Sequence, residues 1–246
     1  MCRDTTRLEH KFKQEAALWE PNCDWVPRPL AEGCLYFLVF FSRHRRLGDI
    51  SSRMHWDGRV VPIAVDLAVS KQYGNVLDDT LWVRLIHARK VAGAHGGPPC
   101  ETYSAARWLD LPGQPCPQPL RDQNMPWGRC YLSLQELIQC HVGSILMWST
   151  LKLLLLVYAF GGSVSLEHPK GAWDDDQKWC VWMSGFIRWI LRGPHLQTLT
   201  FLQGPLGQCA PKPTTMLLGR MGSFALKIFG RYQAGWKPTM TLEGKD

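Results

Sequence analysis

The sequence predicts an α/β protein with a Rossmann-like, mostly parallel sheet, helices on both faces and an antiparallel C-terminal hairpin at its edge. Three observations support this fold class. Unbroken apolar runs such as Cys34–Phe41 are typical of strands buried on both faces. Helical patterns alternate with these runs, which favours βαβ units and a parallel sheet. Two strand-like runs then close the series across a Gly- and Pro-containing segment, as a hairpin would.

The first half of the chain carries three predicted strands. Residues 1–33 form a lead-in with a short helix over Thr5–Trp19, and the first strand, Cys34–Phe41, follows it. Val60–Asp66 is a second apolar run of strand length. Asp79–Lys90 is predicted as a helix because its apolar residues share one helical face, and Val91–Gly97 is the third strand.

The second half begins with a long loop. Residues 105–130 are rich in Pro and Gly, which predicts a surface segment. Ser133 and Glu136 form a capping box, so a helix is expected from there to Phe160, with a break at Gly143. The remaining predicted elements are a strand, a helix and the two hairpin strands: Ser163–Leu166, Asp174–Gly193, Leu196–Leu202 and Thr214–Leu218.

Composition narrows the class of protein. The chain of 246 residues has a net charge of +7, which favours a polyanionic partner. Its nine cysteines are odd in number and contain no Cys-x-x-Cys, which argues against a disulfide framework and a zinc site. We therefore expect an intracellular location, nuclear or cytoplasmic, and no metal. The apolar run Ile145–Phe160 is short and carries Lys152, so we expect a core helix and no membrane association.

Two motifs follow predicted strands. The run 97–104, Gly-Pro-Pro-Cys-Glu-Thr-Tyr-Ser, places Cys100 just after the third strand, and Glu167-His168-Pro169 follows the fourth. Ligands of open α/β sheets bind outside the carboxyl ends of the strands, so this thiol and this carboxylate could face one substrate. A positioned thiol is suited to covalent catalysis, and a carboxyl group is suited to acid–base chemistry.

These two motifs resemble the catalytic loops of the DNA (cytosine-5) methyltransferases. In that family a Pro-Pro-Cys loop carries the nucleophile and a Glu-Asn loop carries the acid. The resemblance implies that Cys100 attacks C6 of a flipped-out cytosine in DNA and that Glu167 contacts N3 of the base. Here Glu101 and Thr102 replace the usual glutamine and glycine, and His168 replaces the asparagine.

The resemblance also implies substrate contacts. It assigns them to Ser104 and Arg107 beyond the cysteine, and to Lys212 in a Gln-Cys…Lys-Pro-Thr hairpin. The family's arginine is not evident in this hairpin, and Lys212 is the candidate cation in its place. A plain hairpin loop is the alternative interpretation.

The cofactor implied by the resemblance is S-adenosylmethionine. The segment from Phe41 and Ser42 to Gly48 is similar to a family variant beginning Phe-Ser-Gly, but Arg43 stands where that variant has glycine. At the end of the second strand, Asp66 is the candidate ribose acceptor. The candidate adenine contact is Asp78.

The predicted catalytic domain spans residues 34–219, and residues 220–246 form a tail. The leading hypothesis is methyl transfer to C5 of cytosine through a cysteine-linked adduct. The first alternative is a catalytically inactive module, nucleic-acid-binding or retroelement-derived, that keeps the fold. The second is an unrelated Rossmann-like protein in which Pro-Pro-Cys is coincidental. The sequence leaves the oligomeric state open.

Overall fold

The chain folds around one mixed sheet. The computed structural model describes residues 33–42, 59–71, 73–104, 107, 118–170, 179–203 and 212–221. The predicted helix Thr5–Trp19 and the acidic start of the predicted helix at Asp174 lie outside these residues. The strands are Leu35–Phe40 (β1), Val60–Val65 (β2), Val91–Gly96 (β3), Ser163–Pro169 (β4), Leu196–Leu202 (β5) and Pro213–Gly219 (β6).

The strand order is β2-β1-β3-β4-β6-β5. The first four strands pair in parallel, and β6 runs antiparallel to both β4 and β5. A mixed α/β fold is therefore confirmed. One detail differs from expectation. The hairpin closes the sheet, but its edge strand β5 runs parallel to β1–β4 and the antiparallel strand β6 lies inside. The first strand, β1, is second from the other edge, between β2 and β3.

Three helices lie in the described part of the chain. They are Thr80–His87 (α1), Leu134–Ala159 (α2) and Gly185–Ile190 (α3), with a 3-10 turn at Val181–Met183 before α3. The main helix–sheet contact of the described residues is that of α2 with β3 and β4, and α1 lies against α2. The expected cover of helices on both faces stays a prediction, because these contacts involve the described residues alone.

The capping box at the start of α2 is confirmed. The Ser133 hydroxyl accepts from the Glu136 backbone N–H at 3.4 Å, and the Glu136 carboxylate accepts from the Ser133 backbone N–H at 2.9 Å. The expected break at Gly143 is wrong, since α2 is continuous. A side chain at Gly143 would reach within 2.9 Å of the Thr102 hydroxyl, so the glycine permits a close approach of helix and loop.

The core lies between α2 and the sheet. Tyr36, Leu38 and Phe40 of β1 point into it, and Phe37 and Val39 on the other face are buried as well. The unbroken apolar run thus correctly indicated a strand buried on both faces. By length and composition α2 could cross a membrane, and 44% of its most apolar window is buried within the described fold.

Candidate functional site

Cys100 lies in the loop that follows β3. The Tyr103 backbone N–H donates to the Cys100 carbonyl at 2.9 Å, which closes a tight turn directly after the thiol. The side chain is a half-buried free thiol. Burial raises the pKa of Cys100, the charge of Glu167 adds to the rise, and the Lys212 ammonium opposes it. The thiol of the free protein is therefore mostly protonated near neutral pH.

Glu167 lies in β4 and not in a loop after it, because the strand continues to Pro169. Its Oε1 accepts from the Gln203 side-chain amide at 3.1 Å and from the Lys212 ammonium at 3.2 Å. Gln203 directly follows β5 and Lys212 directly precedes β6. The hairpin therefore supplies two donors that fix the carboxylate, one neutral and one charged.

The loop that carries Cys100 begins next to the Glu167 carboxylate. A Cβ placed on Gly97 would lie 3.6 Å from Oε2 of Glu167. Both Glu167 and Lys212 are close enough to act electrostatically on the Cys100 thiol. The fold thus brings together Cys100, Glu167, Lys212 and Gln203, which we call the Cys100–Glu167 cluster. Gln203 was not predicted, and the sequence around it carries no signal that would have found it.

His95 extends the polar surface next to the cluster. Its Nδ1 lies 2.8 Å from the Ser165 hydroxyl of the neighbouring strand. Burial lowers the pKa of His95, and the charge of Glu167 opposes this shift. The imidazole is therefore mainly neutral near neutral pH.

Arg107 and Ser104 stabilise the loop beyond Cys100. The Arg107 guanidinium donates to the Glu101 carbonyl at 2.7 Å and to the Gln118 carbonyl at 3.2 Å. The half-buried Ser104 accepts the Arg107 backbone N–H through its carbonyl at 3.2 Å. The cation that acts on the thiol is Lys212.

The predicted cofactor residues lie at the carboxyl ends of β1 and β2. Phe41 has a φ of 59° and donates its backbone N–H to the Val65 carbonyl at 3.1 Å, so the chain turns sharply after β1. Ser42 follows this turn, and Asp66 accepts the Ala68 backbone N–H on Oδ1 at 2.8 Å. Arg43 and Gly48 lie outside the described residues.

Asp78 follows a turn rather than a short strand. Its backbone N–H donates to the Asn75 carbonyl at 3.1 Å, and the side chain is exposed. Its neighbour Asp79 precedes α1 and forms an ion pair with Lys152. Local hydrogen bonds thus fix the backbone of this segment, and the adenine contact of Asp78 stays a prediction.

Two features were missed in the sequence. Arg121, which falls in the predicted surface loop 105–130, is buried with 2% of its surface exposed. A cavity of about 340 Å³ opens between α2 and α3, and its lining includes five aromatic side chains: Tyr103, Trp127, Trp148, Trp179 and Phe186. The twelve tryptophans of the chain were the only sequence signal for such a cavity.

No protein-family model matches this chain, and no curated protein matches it. In the described ranges, no group of three or more His, Cys, Asp and Glu side chains is arranged to hold a metal ion. The interpretation of the site therefore rests on its own residues.

Proposed function

We propose that this chain transfers a methyl group to C5 of cytosine in DNA through a covalent adduct on Cys100. The observation that carries the proposal is the Cys100–Glu167 cluster. The Cys100 thiol lies within the electrostatic reach of a carboxylate that is itself held at 3.1 and 3.2 Å by Gln203 and Lys212. A nucleophile next to an oriented acid is the arrangement that covalent attack on a pyrimidine requires.

The position of the cluster in the sheet supports a ligand site. Cys100 follows β3 and Glu167 lies near the carboxyl end of β4, and these strands are parallel neighbours. The strand order reverses between β1 and β3. The chain places β2 on one side of β1, and it places β3 and all later strands on the other side. Open α/β sheets bind ligands at such reversal points.

The residues after β1 and β2 fit the cofactor S-adenosylmethionine. The chain turns sharply at Phe41 after β1, and Asp66 follows the neighbouring strand with a carboxylate that could accept from ribose hydroxyls. When bound there, the cofactor supplies an electrophilic methyl group to C5 and leaves as its demethylated thioether.

The residues of the chain have distinct roles in this reaction. The Cys100 thiolate forms a bond to C6 of the cytosine, which moves an electron pair toward C5. Glu167 takes up the proton that the Cys100 thiol gives up on attack, and as a carboxylic acid it donates a hydrogen bond to N3 and stabilises the charge that develops in the ring. Lys212 and Gln203 hold the Glu167 carboxyl in place. After methyl transfer, loss of the C5 proton to water breaks the sulfur–C6 bond and returns the electron pair to the thiolate.

One observation favours the alternative of an inactive nucleic-acid-binding module. The pKa of Cys100 is raised, chiefly by burial, so the nucleophilic form is scarce near neutral pH. An active enzyme should therefore form its adduct faster as the pH rises toward alkaline values. An inactive module would bind DNA through its positive charge and form no adduct at any pH.

Covalent trapping separates these possibilities. The probe is a pool of random-sequence duplexes in which 5-fluorocytosine replaces cytosine, incubated with S-adenosylmethionine. Fluorine at C5 blocks the elimination step, so an active protein stays attached to the DNA in a denaturing gel. The wild type and the control Cys130→Ser, which changes an exposed thiol, should form the adduct, and Cys100→Ser should not.

Two results would decide against the proposal. If the wild type binds cofactor and DNA, as measured by calorimetry, but forms no adduct between about pH 7 and pH 9, the inactive module is the correct assignment. If Cys100→Ser forms the adduct as well as the wild type, another residue is the nucleophile.

A further inference from the structure

A buried arginine links the Cys100 loop to the long helix α2. The guanidinium of Arg121 donates through one terminal nitrogen to the Pro126 carbonyl at 2.7 Å and the Ser144 hydroxyl at 3.0 Å. Its other terminal nitrogen donates to the Thr102 hydroxyl at 3.1 Å and to the Cys140 carbonyl. One side chain thus joins the loop, two successive turns of α2 and the segment before the helix.

The same guanidinium lies on an aromatic ring of the loop. Its central carbon is 4.0 Å from the centroid of Tyr103, and this ring also contacts Trp179 with centroids 5.6 Å apart. The Tyr103 hydroxyl donates to Ser144 at 3.4 Å. The Tyr103 backbone N–H donates to the Cys100 carbonyl, so contacts that fix Tyr103 also fix the turn that carries the thiol.

Arginine suits this position for a geometric reason. Its planar fork offers donors in fixed directions, so a single residue can satisfy acceptors on three separate segments. All of the partners that Arg121 bonds among the described residues are neutral, although a buried cation is costly without an anion. Ordinary core packing would be achieved more cheaply by an apolar side chain.

Gly143 provides an independent sign that this contact is specific. A Cβ at this position of α2 would lie 2.9 Å from the Thr102 hydroxyl and 3.6 Å from the Arg121 guanidinium. The loop and the helix therefore approach as closely as a glycine allows. Any side chain at Gly143 must push the loop outward or displace Thr102 from Arg121.

We propose that Arg121 is a positioning residue that holds the Cys100 thiol at its depth beside Glu167 by fixing Thr102 and Tyr103 to α2. Its role in methyl transfer rests on the proposed function, whereas the positioning itself rests on the contacts above. Release of the loop would expose the thiol to water. The charged groups that act on Cys100, which are Lys212, Glu167 and Glu101, would remain in the chain.

The test is the alkylation of Cys100 by iodoacetamide, followed peptide by peptide with mass spectrometry over a range of pH. Arg121→Met should raise the rate at Cys100 roughly tenfold and move its pH midpoint downward, because the burial that disfavours the thiolate is lost. The buried Cys180 reports on global unfolding in the same sample and should stay protected. Arg84→Met removes an exposed arginine of α1 and should change neither thiol.

A second variant covers the case in which Arg121→Met unfolds the protein and Cys180 becomes reactive. Gly143→Ala keeps the arginine and disturbs only the approach of the loop, so it should shift the rate and pH midpoint of Cys100 while Cys180 stays protected. If a variant keeps Cys180 protected and the alkylation rate and pH midpoint of Cys100 are those of the wild type, Arg121 does not position the thiol. Trapping with 5-fluorocytosine, run alongside, separates this outcome from failure of the proposed function, since alkylation needs neither DNA nor cofactor.

Discussion

Replacement of His168 should change how the stability of the fold depends on pH. His168 lies in β4 next to Glu167, and its ring is completely buried between Tyr103 and Trp182, with centroids 5.5 and 6.3 Å away. Neither ring nitrogen has a hydrogen-bond partner among the described residues. Burial is the main cause that lowers the pKa of His168 to about 3, and the charges of Lys212 and Arg121 add to it.

The size of the effect follows from proton linkage. The ordinary pKa of histidine is 6.5, so above that value the imidazole is neutral in both folded and unfolded chains. Between 6.5 and about 3, the unfolded chain binds a proton that the folded protein does not. Stability is therefore lost as the pH falls through this window, by up to about 1.4 kcal/mol per pH unit. Between about pH 7 and pH 5 the loss from this residue is about 2 kcal/mol.

His168→Phe removes this loss, because a phenyl ring of similar size cannot be protonated. The measurement is urea denaturation, followed by tryptophan fluorescence, at about pH 7, 6, 5 and 4. The free energy of unfolding of the variant should fall about 2 kcal/mol less than that of the wild type between pH 7 and pH 5. His141→Gln, which changes an exposed histidine of α2, should follow the wild type.

If the free energy of unfolding falls equally in the wild type and in His168→Phe between about pH 7 and pH 5, the imidazole is not held neutral in the folded protein. The carboxylates titrate in both proteins, so their contribution cancels in the difference. If the phenyl ring does not fit the site, His168→Leu supplies the same comparison without a titratable group.

Two further predictions concern the strand and the hairpin next to the thiol. Gly93→Ala should lower the free energy of unfolding by about 1–3 kcal/mol in urea denaturation, because its Cβ would lie 2.6 Å from the Ser163 carbonyl of the next strand. Gly97→Ala is the matched control and should stay within about 0.5 kcal/mol of the wild type, since its Cβ has ordinary contacts only. Lys212→Met should move the pH profile of Cys100 alkylation to higher pH, because the cation that lowers the pKa of this thiol is removed, whereas Lys212→Arg should keep the profile. A profile that stays in place in Lys212→Met would mean that the lysine does not act on the thiol.

The elements of the fold could largely be predicted because their signals are local. The apolar run of β1, the helical face of α1 and the capping box at Ser133 each depend on residues close together in the chain. Burial on both faces requires apolar residues at every position of a strand, and a helix start needs its cap within one turn. These requirements can be read from sequence alone.

The candidate site was predicted in part. Cys100 and Glu167 were identified by the motifs around them, but β4 proved three residues longer than expected. A motif identifies residue types, but it does not show where strand pairing ends. Here the pairing of β4 continues because His168 and Pro169 lie opposite Thr215 and Thr214 of β6. The role of Asp78 stays a prediction, since the turn hydrogen bond of its backbone leaves the exposed side chain open to a ligand.

Only the tertiary structure decided which residues meet. Gln203 and Lys212 reach Glu167 because β6 is inserted between β4 and β5, and Arg121 is buried because a segment with the composition of a surface loop packs under α2. The sequence by itself determined the strands, the long capped helix and the two motif residues, since short-range patterning specifies these. Strand order and the burial of a polar side chain depend on contacts between residues far apart in the chain, and no local pattern records them.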